Sequence, residues 1–191
     1  MGKGRLEAFS DGVIAVIITI MVLELRAPRG AEISALLPLG HSAISYVLSF
    51  IFLGIYWNNH HHLLQATQKV NGPILWANLH LLFWLSLVPF VTAWMGENGF
   101  ASLPVALYGV VLLFAGTAYY ILERLLVVFH GNNSNLAKAV GEDFKGKMSM
   151  VLYLAAIPLA FLVSWASLAI YILVAVMWLI PDQRIEKVLS K

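Results

Sequence analysis

The sequence contains no cysteine among its 191 residues, which excludes disulfide bonds, thiolate metal sites and a cysteine nucleophile. Charged residues are also scarce, because they make up 12% of the chain against about 25% in soluble domains. Hydrophobic residues account for 60%. This composition excludes an ordinary soluble enzyme. The formal net charge of +2 is too small to indicate nucleic-acid binding, so we expect no nucleic-acid partner.

Long apolar segments dominate the chain instead. A helix that crosses a membrane needs about 20 predominantly apolar residues, and hydropathy predicts four clear spans. The segment from residue 148 to 180 has no charged residue, and its 33 residues are long for one helix. Because Ser164–Ser167 near its middle favours a turn, we divide this segment into two short helices. The predicted spans are 9–25, 40–62, 73–95, 104–128, 147–164 and 167–181.

The arginine and lysine residues support this division, because cytoplasmic loops are enriched in them. With six spans and a cytoplasmic N-terminus, ten basic residues lie on the cytoplasmic side and two, Arg26 and Arg29, on the other. Five spans would change these numbers to seven and five. The sequence therefore predicts an all-α, polytopic membrane protein with six transmembrane helices, a single domain over residues 1–191, and both termini in the cytoplasm.

Three polar residues, Arg5, Ser10 and Asp11, precede the apolar core of the first span. Polar and ionisable residues at membrane depth are costly, so they mark candidate functional sites. The residues alone also allow a simpler interpretation, in which Ser10 or Asp11 caps the start of the helix and Arg5 contacts lipid headgroups. The two roles are compatible.

Residues 5–12, RLEAFSDG, resemble the Arg-x-x-x-Phe-Ser-Asp signature that opens the first helix in the transmembrane protein 175 family. The matching residues are Arg5, Phe9, Ser10 and Asp11. The segments YWNNHHHL at 56–63 and LVPF at 87–90 are also similar to the family pattern. The family includes the lysosomal potassium channel of animals, with two six-helix repeats, and shorter prokaryotic relatives with one. The chain resembles the shorter type over essentially its whole length.

Three consecutive histidines, His60–His62, suggest a metal site. Successive residues of a helix point about 100° apart, however, so one helix cannot direct all three rings to one ion. We therefore predict no fixed metal site, and we favour a structural role for these histidines over proton sensing. Unpaired polar groups in a membrane are costly, so we assign side chains of spans 2 and 3 to a polar network with the signature. These side chains are Trp57, Asn58, His61 and His80, with Asn78 as a further candidate.

A stripe along the first span has the helical spacing i, i+3, i+4 and i+7. It consists of Val16, Thr19, Ile20 and Leu23. Because nearly every neighbour is apolar, periodicity alone does not separate a pore-lining stripe from residues that pack against helices or lipid. The resemblance selects this stripe, since first helices surround the pore in the family. It implies an aliphatic constriction with a threonine layer that contributes to potassium preference.

No TVGYG-type segment occurs in the chain, so the carbonyl-ring filter of ordinary potassium channels is absent. The resemblance implies a homotetrameric, potassium-permeable channel with a hydrophobic constriction made by the first helix of each subunit. It further implies a multi-pass protein of a prokaryotic plasma membrane, with potassium as the permeant ion, no cofactor and no enzymatic activity.

Two other functions are open on the residues alone. The main alternative is a secondary transporter of a small solute or proton. The cores of spans 1, 2, 5 and 6 have no acidic or basic side chain, however, and residues 1–95 and 96–191 show no internal repeat. The other is a membrane enzyme that uses histidines, but His60–His62 lack the spacing and the carboxylate partners of known metal sites.

Overall fold

The computed structural model describes residues 2–131, 134–141 and 143–179, and these residues form a bundle of helices. Its first half comprises α1 (Gly4–Leu23), a 3-10 helix (Ile33–Leu39), α2 (Gly40–Gln65), α3 (Gly72–Ser86) and α4 (Val88–Glu97). Its second half comprises α5 (Ser102–His130), a short α6 (Asn135–Val140), α7 (Phe144–Leu159) and α8 (Ser164–Leu179).

Among the described residues, four segments are long and apolar enough to cross a membrane: α1, the 3-10 helix with α2, α3 with α4, and α5. α7 and α8 are shorter, with 16 residues each. When α3 and α4 are counted as one interrupted span, the described helices give six spans. The predicted all-α, polytopic membrane architecture is therefore confirmed. We call the end of the bundle where α1 begins the Gly4 end, and the opposite end the Leu23 end.

Three of the described helices, α3, α6 and α7, begin where short polar side chains cap them. Asn71 Oδ1 accepts a hydrogen bond from the Ile74 N–H at 3.2 Å at the start of α3. Pro73 in the first turn of α3 has no N–H that would need a partner. Asp143 Oδ1 accepts from the Gly146 N–H at 3.0 Å at the start of α7. These starts are therefore determined by local sequence.

α1 begins earlier than the hydropathy of the sequence indicates. It starts at Gly4 with no side-chain cap, five residues before the predicted start of span 1. Ser10 and Asp11 lie within its second turn, so neither of them caps the helix, which corrects that interpretation. The physical reason is that hydropathy detects only the apolar part of a helix, whereas its polar first turns are hydrogen-bonded as well.

The turn between α7 and α8 lies at residues 160–163, just before the position that the sequence predicts. Ser164 is the first residue of α8 and not part of this turn. Pro158 lies in the last turn of α7, where it removes an N–H, and the Phe161 N–H bonds to the Pro158 carbonyl at 3.2 Å. Such i to i+3 bonds tighten the end of a helix.

α5 is the central helix of the bundle, and it packs against α3, α4, α7 and α8. Seven of its side chains are 0% exposed: Val105, Tyr108, Leu112, Ala115, Ala118, Leu122 and Leu126. Gly109 lies on the same helix, and a Cβ atom there would collide with the Tyr171 hydroxyl of α8. The absence of a side chain at Gly109 therefore permits the close approach of α8.

The N-terminal residues are attached to the connection between α2 and α3. Lys3 Nζ donates to the carbonyls of Leu64 at 2.6 Å and Gln65 at 2.8 Å. A basic side chain satisfies free carbonyls at a helix C-terminus and interacts favourably with the helix dipole. Gly2 also forms an isolated antiparallel bridge with Lys69. The start of α1 is thus fixed to the end of α2.

Candidate functional site

The first candidate site is a buried chain of hydrogen bonds near the Gly4 end, which we call the polar cluster. Ser10 of α1, His60 of α2 and Asn78 of α3 form it, and all three residues are 0% exposed. Asn78 Nδ2 donates to Ser10 Oγ at 2.9 Å, and Asn78 Oδ1 lies 2.7 Å from His60 Nε2. Ser10 Oγ in turn donates to the Leu6 carbonyl at 2.8 Å. Three helices, α1, α2 and α3, are therefore connected by buried polar bonds.

The directions of these bonds assign the proton of His60. Ser10 uses its hydroxyl proton on Leu6, so Asn78 must donate to Ser10, which turns its amide oxygen towards His60. An amide oxygen only accepts, so His60 Nε2 carries a proton. His60 Nδ1 is buried and has no hydrogen-bond partner among the described residues. In the neutral ring this nitrogen is an unsatisfied acceptor.

A second, more exposed layer of contacts joins α1 to α2. Trp57 Nε1 donates to Asp11 Oδ1 at 3.1 Å, and His61 Nδ1 lies 3.5 Å from Glu7 Oε1. The rings of Trp57 and His61 stack, with centroids 6.0 Å apart. Both pairs use residues four apart on each helix, which lie on one face. This layer adds two side-chain contacts between α1 and α2.

The other four residues assigned to the network lie outside these contacts. Arg5 and Asn58 are exposed, and neither forms a hydrogen bond or ion pair within the part of the chain that the structure describes. Phe9 is 52% exposed. His80 accepts from Trp84 Nε1 at 2.9 Å, within its own helix. Only two of the four signature residues, Ser10 and Asp11, therefore make polar contacts with α2 or α3.

The network predicted from the sequence named His61 instead of His60, and it included Asn78, whose oxygen accepts from His60, only as a further candidate. The signal for His60 is helical spacing, since it follows the buried Leu53 by seven residues and precedes the buried Leu64 by four. Its neighbour His61 is half exposed and lies off this stripe. A polar residue at an apolar position of a helical stripe needs a buried partner. That rule selects His60.

The three consecutive histidines point in different directions. His60 contacts Asn78, His61 lies beside Glu7, and His62 Nδ1 is buried without a hydrogen-bond partner among the described residues. Within residues 2–131, 134–141 and 143–179, no group of three or more histidine, cysteine, aspartate or glutamate side chains is arranged to hold a metal ion.

The second candidate site is the exposed face of α1, which carries the stripe predicted to line a pore. Val16 is 55% exposed, Ile20 41% and Leu23 77%, and Thr19 is exposed as well. The residues of α1 that are buried against α2, α3 and α4 are Leu6, Ser10, Ile14, Ile17 and Met21. The α1 stripe therefore lies on the exposed side of α1, outside its buried contacts with the bundle.

Thr19 is the polar member of the α1 stripe. Its Oγ1 donates to the Val16 carbonyl at 2.8 Å. The hydroxyl proton is thus used inside the helix, while the oxygen keeps lone pairs that can accept a hydrogen bond or contact a cation. Thr19 presents an acceptor on a face that is otherwise aliphatic.

A groove of about 960 Å³ runs beside the α1 stripe, between α1 and α4. Val16 and Ile20 form one wall, and Phe90 and Trp94 contribute to the other. Three charged residues, Glu24, Arg26 and Glu97, line the groove at the Leu23 end. Arg26 Nη2 lies 3.7 Å from Glu97 Oε1. The groove is therefore apolar along its length and charged at one end.

Comparison with known proteins gives consistent similarities. The family model described as endosomal/lysosomal potassium channel TMEM175 matches residues 5–89. A potassium channel from Chryseobacterium sp. (strain P1-3) is 53% identical over 191 residues, which are 100% of this chain and 100% of that protein. The endosomal/lysosomal proton channel TMEM175 of Mus musculus is 28% identical over 116 residues, which cover 54% of this chain and 23% of that protein.

A solved structure is similar as well. It is the crystal structure of a lysosomal potassium-selective channel TMEM175 homolog from Chamaesiphon minutus, with a TM-score of 0.79 and 28% sequence identity. The similarity covers 92% of this chain and 95% of that chain. It therefore extends well beyond residues 5–89, over nearly the whole bundle.

Proposed function

The chain belongs to the TMEM175 family, and from this premise we propose that it forms a homotetrameric, potassium-permeable channel. The relative that is 53% identical over the whole chain is a potassium channel. The observation that carries the proposal is the α1 stripe, which lies on the exposed side of a helix long and apolar enough to cross a membrane. One bundle cannot enclose an axial pore with α1 alone. Four copies related by rotation let their α1 helices surround one.

The aliphatic members of the α1 stripe would form the constriction. Rings of side chains from Val16, Ile20 and Leu23 form a narrow apolar neck. Water and hydrated ions are excluded from such a neck unless it widens. Leu23 is the most exposed of these side chains, at 77%, so it projects furthest from its own bundle. We assign the narrowest part of the pore to Leu23 on this basis.

Potassium preference would come from partial dehydration at this neck. Potassium is larger and more weakly hydrated than sodium, so it loses part of its water at a lower cost. The Thr19 hydroxyl oxygen, whose proton is engaged by Val16, would replace some of the lost water. Selectivity then needs no ring of backbone carbonyls, and potassium is the permeant ion, with no fixed metal site and no cofactor.

The signature residues and the polar network would fix the position of α1 in the bundle and would not take part in ion conduction. Ser10 lies in the polar cluster between helices, 0% exposed, and Asp11 bonds to Trp57. These bonds fix the rotation of α1, and that rotation determines which side chains face the axis. We keep Arg5, Phe9, His61 and His80 as further members of this network, in which Arg5 and Phe9 contact lipid or neighbouring copies, whereas the exposed Asn58 lies outside it.

The orientation in the membrane follows from the basic residues. Lys3, Arg5 and Lys69 lie at or beyond the Gly4 end, and Arg26 and Arg29 follow the Leu23 end of α1. Because basic residues are enriched in cytoplasmic loops, the Gly4 end faces the cytoplasm of a prokaryotic cell and the Leu23 end faces outward. Both chain termini are then cytoplasmic.

Substitution of Leu23 in planar lipid bilayers tests the proposal. Leu23→Ala removes bulk from four positions of the neck at once, so ions keep more water, and sodium permeability should rise relative to potassium. Leu23→Asn keeps nearly the same size but favours wetting, so open probability should rise. Reversal potentials under mixed potassium and sodium gradients and single-channel records measure the two effects.

Val22→Ala is the matched control, because Val22 is 47% exposed but points about 100° away from Leu23 around α1. It should change selectivity much less. Equal effects at Val22 and Leu23 would show that another face of α1 lines the pore.

Cross-linking that gives only monomers in mild detergent and in lipid would contradict the tetramer. Flux that depends on a second solute would favour the secondary transporter.

A further inference from the structure

We propose that Glu24 of each copy forms a ring of negative charge at the Leu23 end of the pore, which concentrates cations there and favours cations over anions. This inference rests on the proposed function, because it requires α1 to surround the pore. It assigns a specificity-determining residue outside the α1 stripe.

Glu24 lies at the position that such a ring requires. It directly follows Leu23 as the C-cap of α1, and its φ of −74° and ψ of −15° continue the helical backbone. The residue is exposed and lines the charged end of the groove between α1 and α4. Its side chain points about 100° away from that of Leu23 around the helix axis. Glu24 therefore lies at the level of Leu23, on the side of α1 that faces α4 and α2 of its own bundle.

The charge of Glu24 has no counter-ion among the described residues. Glu97, the other acid of this groove, is paired with Arg26 at 3.7 Å. The Glu24 carboxylate forms no ion pair or hydrogen bond with any residue that the structure describes, and only its backbone N–H is bonded, to the Val22 carbonyl. Arg29 is not among the residues that line the groove. The charged end of the groove thus carries one net negative charge per copy, and that charge belongs to Glu24.

The position of Glu24 also breaks a local rule of helix stability. The C-terminus of a helix carries partial negative charge, so a basic residue is favourable there and an acidic one is not. α1 has no basic residue in its last turn, and its C-cap is a glutamate. Local rules are broken most often at functional sites. Here four helix C-termini and four carboxylates would all attract cations to one place.

Glu24→Gln tests this ring, since it removes the charge and keeps the shape. Conductance for cations that enter from the Leu23 end should fall about threefold at roughly 0.01 M potassium chloride, where the Debye length is about 30 Å. At roughly 1 M, where it is about 3 Å, the loss should nearly vanish. The ratio of potassium to chloride permeability should fall as well. Single-channel currents at both salt concentrations measure these changes.

Glu32→Gln is the matched control, because it removes the same charge from the same connection. Glu32 precedes the 3-10 helix, and its Oε2 accepts from Ser34 Oγ at 3.4 Å. It should change conductance little at either salt concentration. An equal loss for Glu32→Gln and Glu24→Gln would overturn the inference, because the effect would then come from the general charge of this surface.

The outcome separates the inference from the function on which it rests. If Leu23→Ala alters selectivity and Glu24→Gln leaves low-salt conductance unchanged, the ring is wrong and the pore assignment stands. If neither variant has an effect, the pore assignment itself is wrong.

A second variant covers the case in which Glu24→Gln does not assemble. The chain has no native cysteine, so Glu24→Cys offers a single thiol for modification after reconstitution. A positively charged methanethiosulfonate reagent should lower low-salt conductance, and a negatively charged one should restore it. Equal responses to both reagents would overturn the inference.

Discussion

α1 and α5 are both long, strongly apolar helices, yet they are embedded differently. In the most apolar stretch of α1, 28% of the residues are buried within the chain, whereas the corresponding value for α5 is 50%. α5 has neighbours on several sides and buries large side chains such as Tyr108 and Leu112. α1 contacts its own bundle along one face and exposes the other.

This difference shows that hydropathy alone does not indicate what a membrane helix contacts. The small and polar residues are more informative. Gly109 on α5 meets the side chain of Tyr171 from α8, so it serves close packing. Thr19 on α1 is exposed, and among the described residues its hydroxyl bonds only within its own helix. α5 therefore holds the bundle together, and α1 is available for contacts outside it.

The largest effect that follows from this contrast is on stability. Leu112→Ala in α5 should lower the free energy of unfolding by about 2 kcal/mol, which is the lower end of the range for truncations in protein cores. The loss is small because lipid tails are as apolar as leucine, so the variant loses mainly packing contacts. Leu23→Ala in α1 should change it by less than about 0.5 kcal/mol. Unfolding of the purified protein by sodium dodecyl sulfate measures both. A loss at Leu23 as large as that at Leu112 would contradict the contrast.

A smaller effect is expected where α1 is attached to the bundle. Asn78→Ala removes the hydrogen-bond partner of both His60 Nε2 and Ser10 Oγ, so the free energy of unfolding should fall by about 1 kcal/mol. This value lies between the typical contribution of a hydrogen bond between membrane helices and the typical cost of an unpaired buried polar group. Asn58→Ala is the matched control, because Asn58 is exposed, and it should be nearly neutral. The same unfolding assay applies. Equal stabilities of the two variants would show that the polar cluster does not hold α1.

The smallest effect is expected at the half-exposed layer beside the polar cluster. Asp11→Ala and Trp57→Phe each remove the hydrogen bond of 3.1 Å between these side chains. Each variant should lower the free energy of unfolding by about 0.5 kcal/mol. Because both variants break one bond, the double variant should cost no more than about the larger single loss. Additive losses in the unfolding assay would mean that the two residues act independently.

The sequence was sufficient to predict the class of fold. A shortage of charge, long apolar segments and the sorting of basic residues led to six spans, because the membrane imposes those patterns directly. Helix ends were harder to predict. The start of α1 at Gly4 lies among polar residues that hydropathy does not detect, and the turn at 160–163 depends on Pro158 within an apolar helix.

The candidate site could be predicted only in part from the sequence. The spacing of the α1 stripe identified residues on a common face, but not whether that face lies inside or outside the bundle, since neighbours such as Ile17 are equally apolar. The partner of Ser10 is Asn78, 68 residues away, and no local pattern encodes that distance. The spacing of His60 from Leu53 and Leu64 is visible in the sequence, but packing sets the rotation of α2 that buries these residues and leaves His61 half exposed.

The hydrogen bond between Ser10 and Asn78 also has a consequence for biosynthesis. Chain elongation adds about 5–20 residues per second, so the 68 residues between the two side chains take roughly 3–14 s to synthesise. During that interval α1 has already been made, while the helix that supplies its buried partner has not. Ser10 therefore cannot bond to Asn78 until α3 has emerged from the ribosome, and the contact between α1 and α3 forms only after that delay.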